Sequence, residues 1–487
     1  MRAGTKKGQS ALMQDVTIVD KQEFRRYIET HHIERIPDQA RHGKPWHQFA
    51  FWFGGNVNVF NVVLGAVVVT VGLTFWWALI AITVGTLIGA LLIALHATQG
   101  PKLGVPQTIQ SRGQFGFYGA AFMFPAVLAL NIGFIAAQLV IQAEAMQGVI
   151  GSIPITAWIV ILAIPAIVIG IFGYRWIHRV MQATAVVVGA ALVIMLIQGL
   201  RYGSGLSAHE SSMSAPSVGL FVFGVALLTI DMLSFGPFVS DYTRYLPAET
   251  NGKRLFWAIY GGNVIATIGS CAIGAYLTAL LPKLSGGPVA AVAKISGKWA
   301  LVIMALSLIN ACTFNAYTGA FQVLSFANMW TRLRSSSVTL RVVPFLVVMA
   351  AGVVVAFLGY KSFVSNLTNF LEVLLLIFIP WSAVNLTDYF VVRRGEYHVA
   401  SFFMANGRYG RFMWPGLVAY VIGLGAQWPF IDQLDYVGPL VNVLGGADIS
   451  WLIGWIVAAG VYLGLVRVAE RRSSPSMSAL GDPQLTS

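Results

Sequence analysis

The sequence predicts an all-α membrane protein of about 12 transmembrane helices, two of them broken near mid-membrane, and three observations carry that prediction. Hydrophobic residues make up 57% of the 487 and charged residues only 10%, a balance that excludes a water-soluble domain. Apolar runs of roughly 18 to 25 residues recur along the chain. Two of those runs, five apart in order, are interrupted by residues that weaken helices.

The runs begin near residues 49, 75, 118, 155, 180, 219, 256, 299, 342, 363, 413 and 449. Residues 1–46 are polar and lack an apolar core, so they read as a cytoplasmic tail and not as a cleaved signal peptide. Residues 47–470 form the transmembrane domain, and 471–487 read as a disordered cytoplasmic tail. The net charge of +12 raises the question of a nucleic-acid partner, and the placement of the basic residues answers it. With the N-terminus cytoplasmic, 26 of the 31 Lys and Arg fall on that side, leaving Arg201, Lys283, Lys294, Lys298 and Lys361 on the other. This is the positive-inside asymmetry: both termini cytoplasmic, an even number of spans, residence in the cell membrane and no nucleic-acid surface. Cys271 and Cys312 lie inside predicted spans and offer no disulfide framework.

The first span carries FWFGGNVNVFN, interrupted by Gly54, Gly55, Asn56 and Asn58. The sixth carries TIDMLSFGPFVSDYTRYLP, where Ser234, Gly236 and Pro237 interrupt the helix, the proline by removing a backbone donor. Both are expected to unwind, which hydrocarbon tolerates only where the freed backbone lines a protein cavity. Breaks five spans apart indicate inverted repeats, the first over 47–200 and the second over 217–392, with two extra helices over 411–468.

In the third span, LALNIGFIAAQLVIQAE places Asn131, Phe134, Gln138 and Gln142 within about 60° of one helical face. The eighth span carries LINACTFNAYTG, with Asn310, Thr313 and Tyr317 on one face and Asn315 about 140° round from Asn310. Thr313, with backbone freed at the first break, offers hard oxygens to a cation, and Asn315 an amide to a polar solute. Interhelical hydrogen bonding is the competing use of such residues. Three acids sit where charge is expensive: Asp231 before the sixth-span break, Glu372 in the tenth span and Glu144 toward the outer end of the third. Asp231 can carry a proton or stay ionised beside a cation; Glu372 can equally be a buried acid satisfied by neighbours such as Asn369. On the cytoplasmic side, Arg112 and Asp241 or Arg244 are available for ion pairs between helix ends. No nucleophile, metal or phosphate-loop motif anchors catalysis, and His31, His32, His42 and His47 fall outside the bilayer.

The loop GPKLGVPQTIQSRGQFGFYG, the element SDYTRYLP and the pattern Asn310-x-x-Thr313-x-Asn315 resemble the nucleobase cation symporter-1 family, which includes hydantoin transporters, cytosine permeases and purine-cytosine permeases. The resemblance covers roughly residues 33 to 470. It implies a leucine-transporter-like fold of ten core helices plus two, with substrate held at mid-membrane by helices 1, 3, 6 and 8. By that resemblance Phe134 stacks on a heterocycle, Asn131 and Gln138 meet its polar edge, Asn315 binds it, and Ser234 and Phe235 close against the ring. The implied cation site uses carbonyls near Gly55 and Asn58, the Asn310 carbonyl and the Thr313 hydroxyl. Phe314 stands where sodium-dependent members offer a second hydroxyl, which with Asp231 close by favours the proton as coupling ion.

The expected function is therefore import of a nucleobase or related nitrogen heterocycle by cation symport, with H+ favoured over Na+. Hydantoin, allantoin or a thiamine-precursor pyrimidine with sodium is the alternative solute class, and a non-transporting receptor or a membrane-embedded enzyme the alternative kind of protein. No prosthetic group or metal is expected, and the protein is expected to act as a monomer in lipid.

Overall fold

The computed structural model describes residues 34–473 apart from 173, 204, 285–286, 332–337 and 434–435; the expected disordered tail from 474 and the tail up to 33, with His31 and His32, lie outside the described residues. Apolar length produces helices throughout, because each backbone group in hydrocarbon must find its partner within its own segment. In chain order these are α1 (Pro45–Asn56), α2 (Val59–Thr70), α3 (Phe75–Ala97), α4 (Met123–Val149), α5 (Ile155–Phe172), α6 (Tyr174–Leu200) and α7 (Val218–Leu233). There follow α8 (Val239–Thr243), α9 (Gly252–Ala279), α10 (Lys298–Ala327), α11 (Val338–Gly359), α12 (Phe363–Thr387), α13 (Trp414–Ala426) and α14 (Ser450–Ser473).

The protein is a multi-pass membrane protein. Among the described residues eight helical runs are long and apolar enough to cross a membrane, nine when the bent pair α1–α2 is taken as one span. One of the eight, Val342–Val392, contains most of α11 and all of α12, joined by the tight turn Tyr360–Ser362. Helices α5 and α13 stand at two further expected positions but are shorter; the 13 residues of α13 reach only about 20 Å.

The first break lies slightly later than expected. Gly54, Gly55 and Asn56 remain helical, the chain turns at Val57 and Asn58, and α2 leaves α1 at 57°. Asn58 caps α2, its Oδ1 accepting from the Asn61 amide at 2.9 Å, while its Nδ2 donates to the Gly55 carbonyl at 2.7 Å. The sixth span opens less than predicted. A single 3-10 turn, Gly236–Phe238, separates α7 from α8, and among the described residues α1–α2 is the only apolar, span-forming helix pair bent by more than 40° at a short break. The reason is local: Ser234 and Phe235 amides bond to Ile230 and Met232 carbonyls, Phe238 to Phe235, and Ser234 Oγ donates to the Asp231 carbonyl at 2.6 Å. Tight turns take up what the proline releases.

Two glycine seams hold the helices around the break. A Cβ at Gly65 would lie 1.9 Å from the Cys271 carbonyl oxygen, and one at Gly274 1.8 Å from that of Val62, so α2 and α9 touch backbone to backbone. Between α3 and α7, Gly85 and Gly89 would meet the Val225 and Thr229 carbonyls at 2.3 and 2.5 Å. Opposite them α4 lies along α10, with Gln142 Nε2 donating to Cys312 Sγ at 3.2 Å. Gly274→Ala is expected to cost at least the 1–3 kcal/mol typical of overpacking, whereas Gly269→Ala, on the same helix with open space at its Cβ, is expected to be neutral or slightly stabilising. Thermal unfolding of the two purified variants checks the contrast.

Candidate functional site

The bend between α1 and α2 leaves a cavity of about 110 Å³. Five parts of the chain wall it: the α1–α2 junction, the middle of α4, Thr184 to Val188 of α6, the α7 end with its turn, and Ser307 to Asn315 of α10. Of the residues expected from sequence, Gly55, Asn58, Phe134, Gln138, Asp231, Ser234, Phe235, Asn310 and Asn315 line it.

Its apolar wall is built of rings that hold one another edge-on. Phe134 meets Phe60 at 5.5 Å and Phe370 at 5.7 Å between centroids; Phe235 meets Trp52 at 5.4 Å and Phe238 at 5.8 Å. Edge-to-face contact fixes a ring's tilt. Phe314 also reaches the cavity and stacks on Tyr242 at 5.7 Å, so the position where a hydroxyl would serve a cation holds another ring.

The polar groups stand between these rings. Asn315 Nδ2 donates to Gln138 Oε1 at 3.2 Å and to the Ala311 carbonyl at 3.0 Å. That leaves one donor, Gln138 Nε2, and one acceptor, Asn315 Oδ1, free to meet a solute that offers both. Asp231 Oδ2, Asn310 Oδ1 and Asn56 Oδ1 are buried acceptors without a protein partner, and Trp52 Nε1 is a buried donor without one. Unmatched buried groups each cost on the order of 1–3 kcal/mol, so the cavity is built to receive hydrogen bonds.

Two expected site residues lie elsewhere. Thr313 is absent from the cavity wall; its Oγ1 is 3.0 Å from the Ala166 carbonyl of α5 and from the Ile309 carbonyl of its own helix. A hydroxyl in a dry bundle takes the nearest carbonyl, and α5 supplies one. Asn131 donates to the Val127 carbonyl at 2.6 Å and faces α10 at Gly319, beside the cavity rather than in it. Gly55 keeps its place, although Asn58 already occupies one lone pair of its carbonyl.

At the end of the bundle near the chain termini, Arg112 makes no ion pair among the described residues; it donates to the Phe402 carbonyl at 2.8 Å and lies over the Phe117 ring. The acidic residue that organises this end is Asp388. Asp388, fully buried, accepts from Arg393 Nε at 3.1 Å, Tyr397 at 2.6 Å, Tyr462 at 2.7 Å and Gln114 at 3.0 Å. Burial, and next the Asp388 carboxylate, hold the Tyr397 phenol above its usual range, so it stays a donor. Gln99, Asn385 and Gln114 continue the chain of amides from the end of α3. The spacing of Ser382, Asn385 and Asp388, three residues apart on one helical face, was the available signal. Thr313→Val is expected to lower stability by about 1 kcal/mol, the worth of its hydrogen bond, while solute affinity and ion dependence stay unchanged. Thermal unfolding and uptake under exchanged ion gradients measure the two halves of this expectation.

Comparison with known proteins gives a consistent picture. The family described as permease for cytosine/purines, uracil, thiamine and allantoin matches residues 35–454. YxlA of Bacillus subtilis strain 168, provisionally named a purine-cytosine permease, is 33% identical over 447 residues, covering 90% of this chain and 96% of its own. The purine-cytosine permease fcyB of Emericella nidulans is 25% identical over 464 residues, covering 90% and 88%. Among solved structures, Mhp1, a nucleobase-cation-symport-1 family transporter in a closed conformation with bromovinylhydantoin bound, superposes with a TM-score of 0.71 over 92% of this chain and 96% of that one. At 17% identity that likeness is one of fold.

Proposed function

We propose that this chain, which belongs to the family of permeases for cytosine/purines, uracil, thiamine and allantoin, is a secondary active transporter that imports a nucleobase or closely related nitrogen heterocycle by cation symport. The observation that carries the reading is the cavity at the first break, where aromatic residues line the wall beside an amide pair with one free donor and one free acceptor. Stacking on Phe134 or Phe235 is worth on the order of 1–3 kcal/mol and hardly distinguishes one base from another. Discrimination comes from the edge: Gln138 and Asn315 offer a donor and an acceptor to ring C=O and N–H, and an analogue lacking either strands a buried group. On the other side Asn310 Oδ1 accepts, while Asp231 donates when it carries the coupling proton and accepts when ionised, so this edge meets a ring N–H or a carbonyl according to its protonation state.

The proton is the favoured coupling ion. The Thr313 hydroxyl is turned to α5 and Phe314 puts a ring at the cavity wall, so neither hydroxyl position of the implied sodium site faces the cavity, while Asp231 is a carboxyl placed to take and release a proton. Coupling requires ion and solute to favour the same state, so each tightens the other by the same factor. The protein works as a monomer in the cell membrane, with both termini cytoplasmic as its basic residues indicate, and no catalytic step is part of the reading.

Proteoliposome uptake of labelled cytosine, hypoxanthine, uracil, hydantoin and hydroxymethylpyrimidine, with proton and sodium gradients imposed separately, tests this. Accumulation of at least one base driven by the proton gradient is expected; accumulation driven by sodium alone overturns the ion assignment, and no accumulation overturns transport. Asn315→Ala is expected to lose solute binding in a protein that still folds, and unchanged affinity would remove Asn315 from the site. Asp231→Asn is expected to abolish proton-driven accumulation while solute exchange continues; full proton-driven uptake would place the proton elsewhere.

A further inference from the structure

A second cavity, of about 290 Å³, opens at the end of the bundle remote from the chain termini, between the start of α7, the middle of α12, Asp432 and Gln433, and residues 445–451 leading into α14. Nothing in the transport cycle proposed above uses it. Three carboxylates line it, Glu372, Asp432 and Asp448, with no lysine, arginine or histidine among the lining residues. Asp448 is committed to the wall: its oxygens accept from the Asp432 amide at 2.8 Å, the Ser450 amide at 2.8 Å and Gln433 Nε2 at 3.2 Å. Glu372 and Asp432 therefore remain as the carboxyl groups available to a ligand in the cavity.

Two neutral groups show that more than negative potential is built here. Gln433 is 8% exposed and its Oε1 has no partner; Trp451 is 5% exposed and its Nε1 has none. Both line the cavity, one as an unmatched acceptor and the other as an unmatched donor. We propose that this cavity binds a small organic cation, an amine that also carries a neutral hydroxyl or carbonyl oxygen. The ammonium is held between Glu372 and Asp432 against the Trp451 ring, its N–H groups also meeting Gln433 Oε1, and the neutral oxygen accepts from Trp451 Nε1. A bare metal ion fits less well, because among the described residues no three acidic, histidine or cysteine groups converge closely enough to hold one. The positive charge must ride on a molecule several atoms long. Crowding is evident outside the spans too: burial, and next Asp448, hold the Asp432 carboxyl above its ordinary range. A lipid head group carries a similar ammonium, but its phosphate would lie beside three carboxylates, so a free amine is the favoured source.

The test uses the full chain purified in detergent without added phospholipid, titrated calorimetrically with 3-amino-1-propanol, with glycerol and calcium chloride as separate titrants. Saturable binding of the amine, absent for glycerol and at least tenfold weaker in both Glu372→Gln and Asp432→Asn, is expected. The unliganded unfolding temperature of the Asp432→Asn variant, a surface change, should be unaltered. No saturable amine binding, equal binding in both variants, or stronger binding of calcium than of the amine would overturn the proposal. Binding seen only in nanodiscs containing phosphatidylethanolamine would assign the cavity to a head group and overturn the free amine.

Discussion

The Asn56 carbonyl sits where a helix has just ended inside the membrane, and the architecture depends on how its hydrogen bonds are completed. It accepts from Asn61 Nδ2 at 2.9 Å and from Ser270 Oγ at 3.2 Å, while its own side chain donates to the Trp52 carbonyl at 2.9 Å and to Asn263 at 2.8 Å. Each of these groups, left alone in hydrocarbon, would cost several kcal/mol. Met together, they make the bend at Val57 and Asn58 a stable feature of the membrane interior, and the bend in turn makes room for a solute. Asn263 and Ser270 belong to α9, so the helix that seals the bend is also the one that α2 touches through glycine.

The cavity follows from that bend by ordinary packing. Rings line the volume the bend opens, and their edge-to-face contacts fix one another's tilt. The amide pair between α4 and α10 then reads composition at a single point. At the termini-facing end a different arrangement serves rigidity. An aspartate at the C-terminal end of α12 opposes the helix dipole, and Asp388 is stable there because Arg393, two tyrosines and Gln114 converge on it.

Much of this was readable from residue type and helical spacing, and the misses have physical causes. Phe134, Gln138 and Asn315 were legible because polar and aromatic residues at three- and four-residue intervals must share a face, and the Gly-Gly-Asn run marked the first break to within a few residues. Thr313 was misplaced because a helical wheel gives a direction but not the neighbour, and α5 presents a carbonyl on that side. The sixth-span proline suggested an open break because the compensating 3-10 bonds depend on backbone angles that composition does not reveal. Of the Asp388 cluster only the spacing of Ser382, Asn385 and Asp388 was legible, because Gln114 and Tyr462 reach it from opposite directions along the chain.

The glycine seams also decide which surfaces of the molecule can slide. Backbones in direct contact at Gly65, Gly274, Gly85 and Gly89 leave no lubricating layer of side chains, so α2 with α9, and α3 with α7, travel as welded units. A shear plane has to run where longer side chains interdigitate, along the flank where α1 and α7 face α4 and α10 across the cavity. The cavity lies on that fault line itself, so relative movement of the two units would open or close it directly.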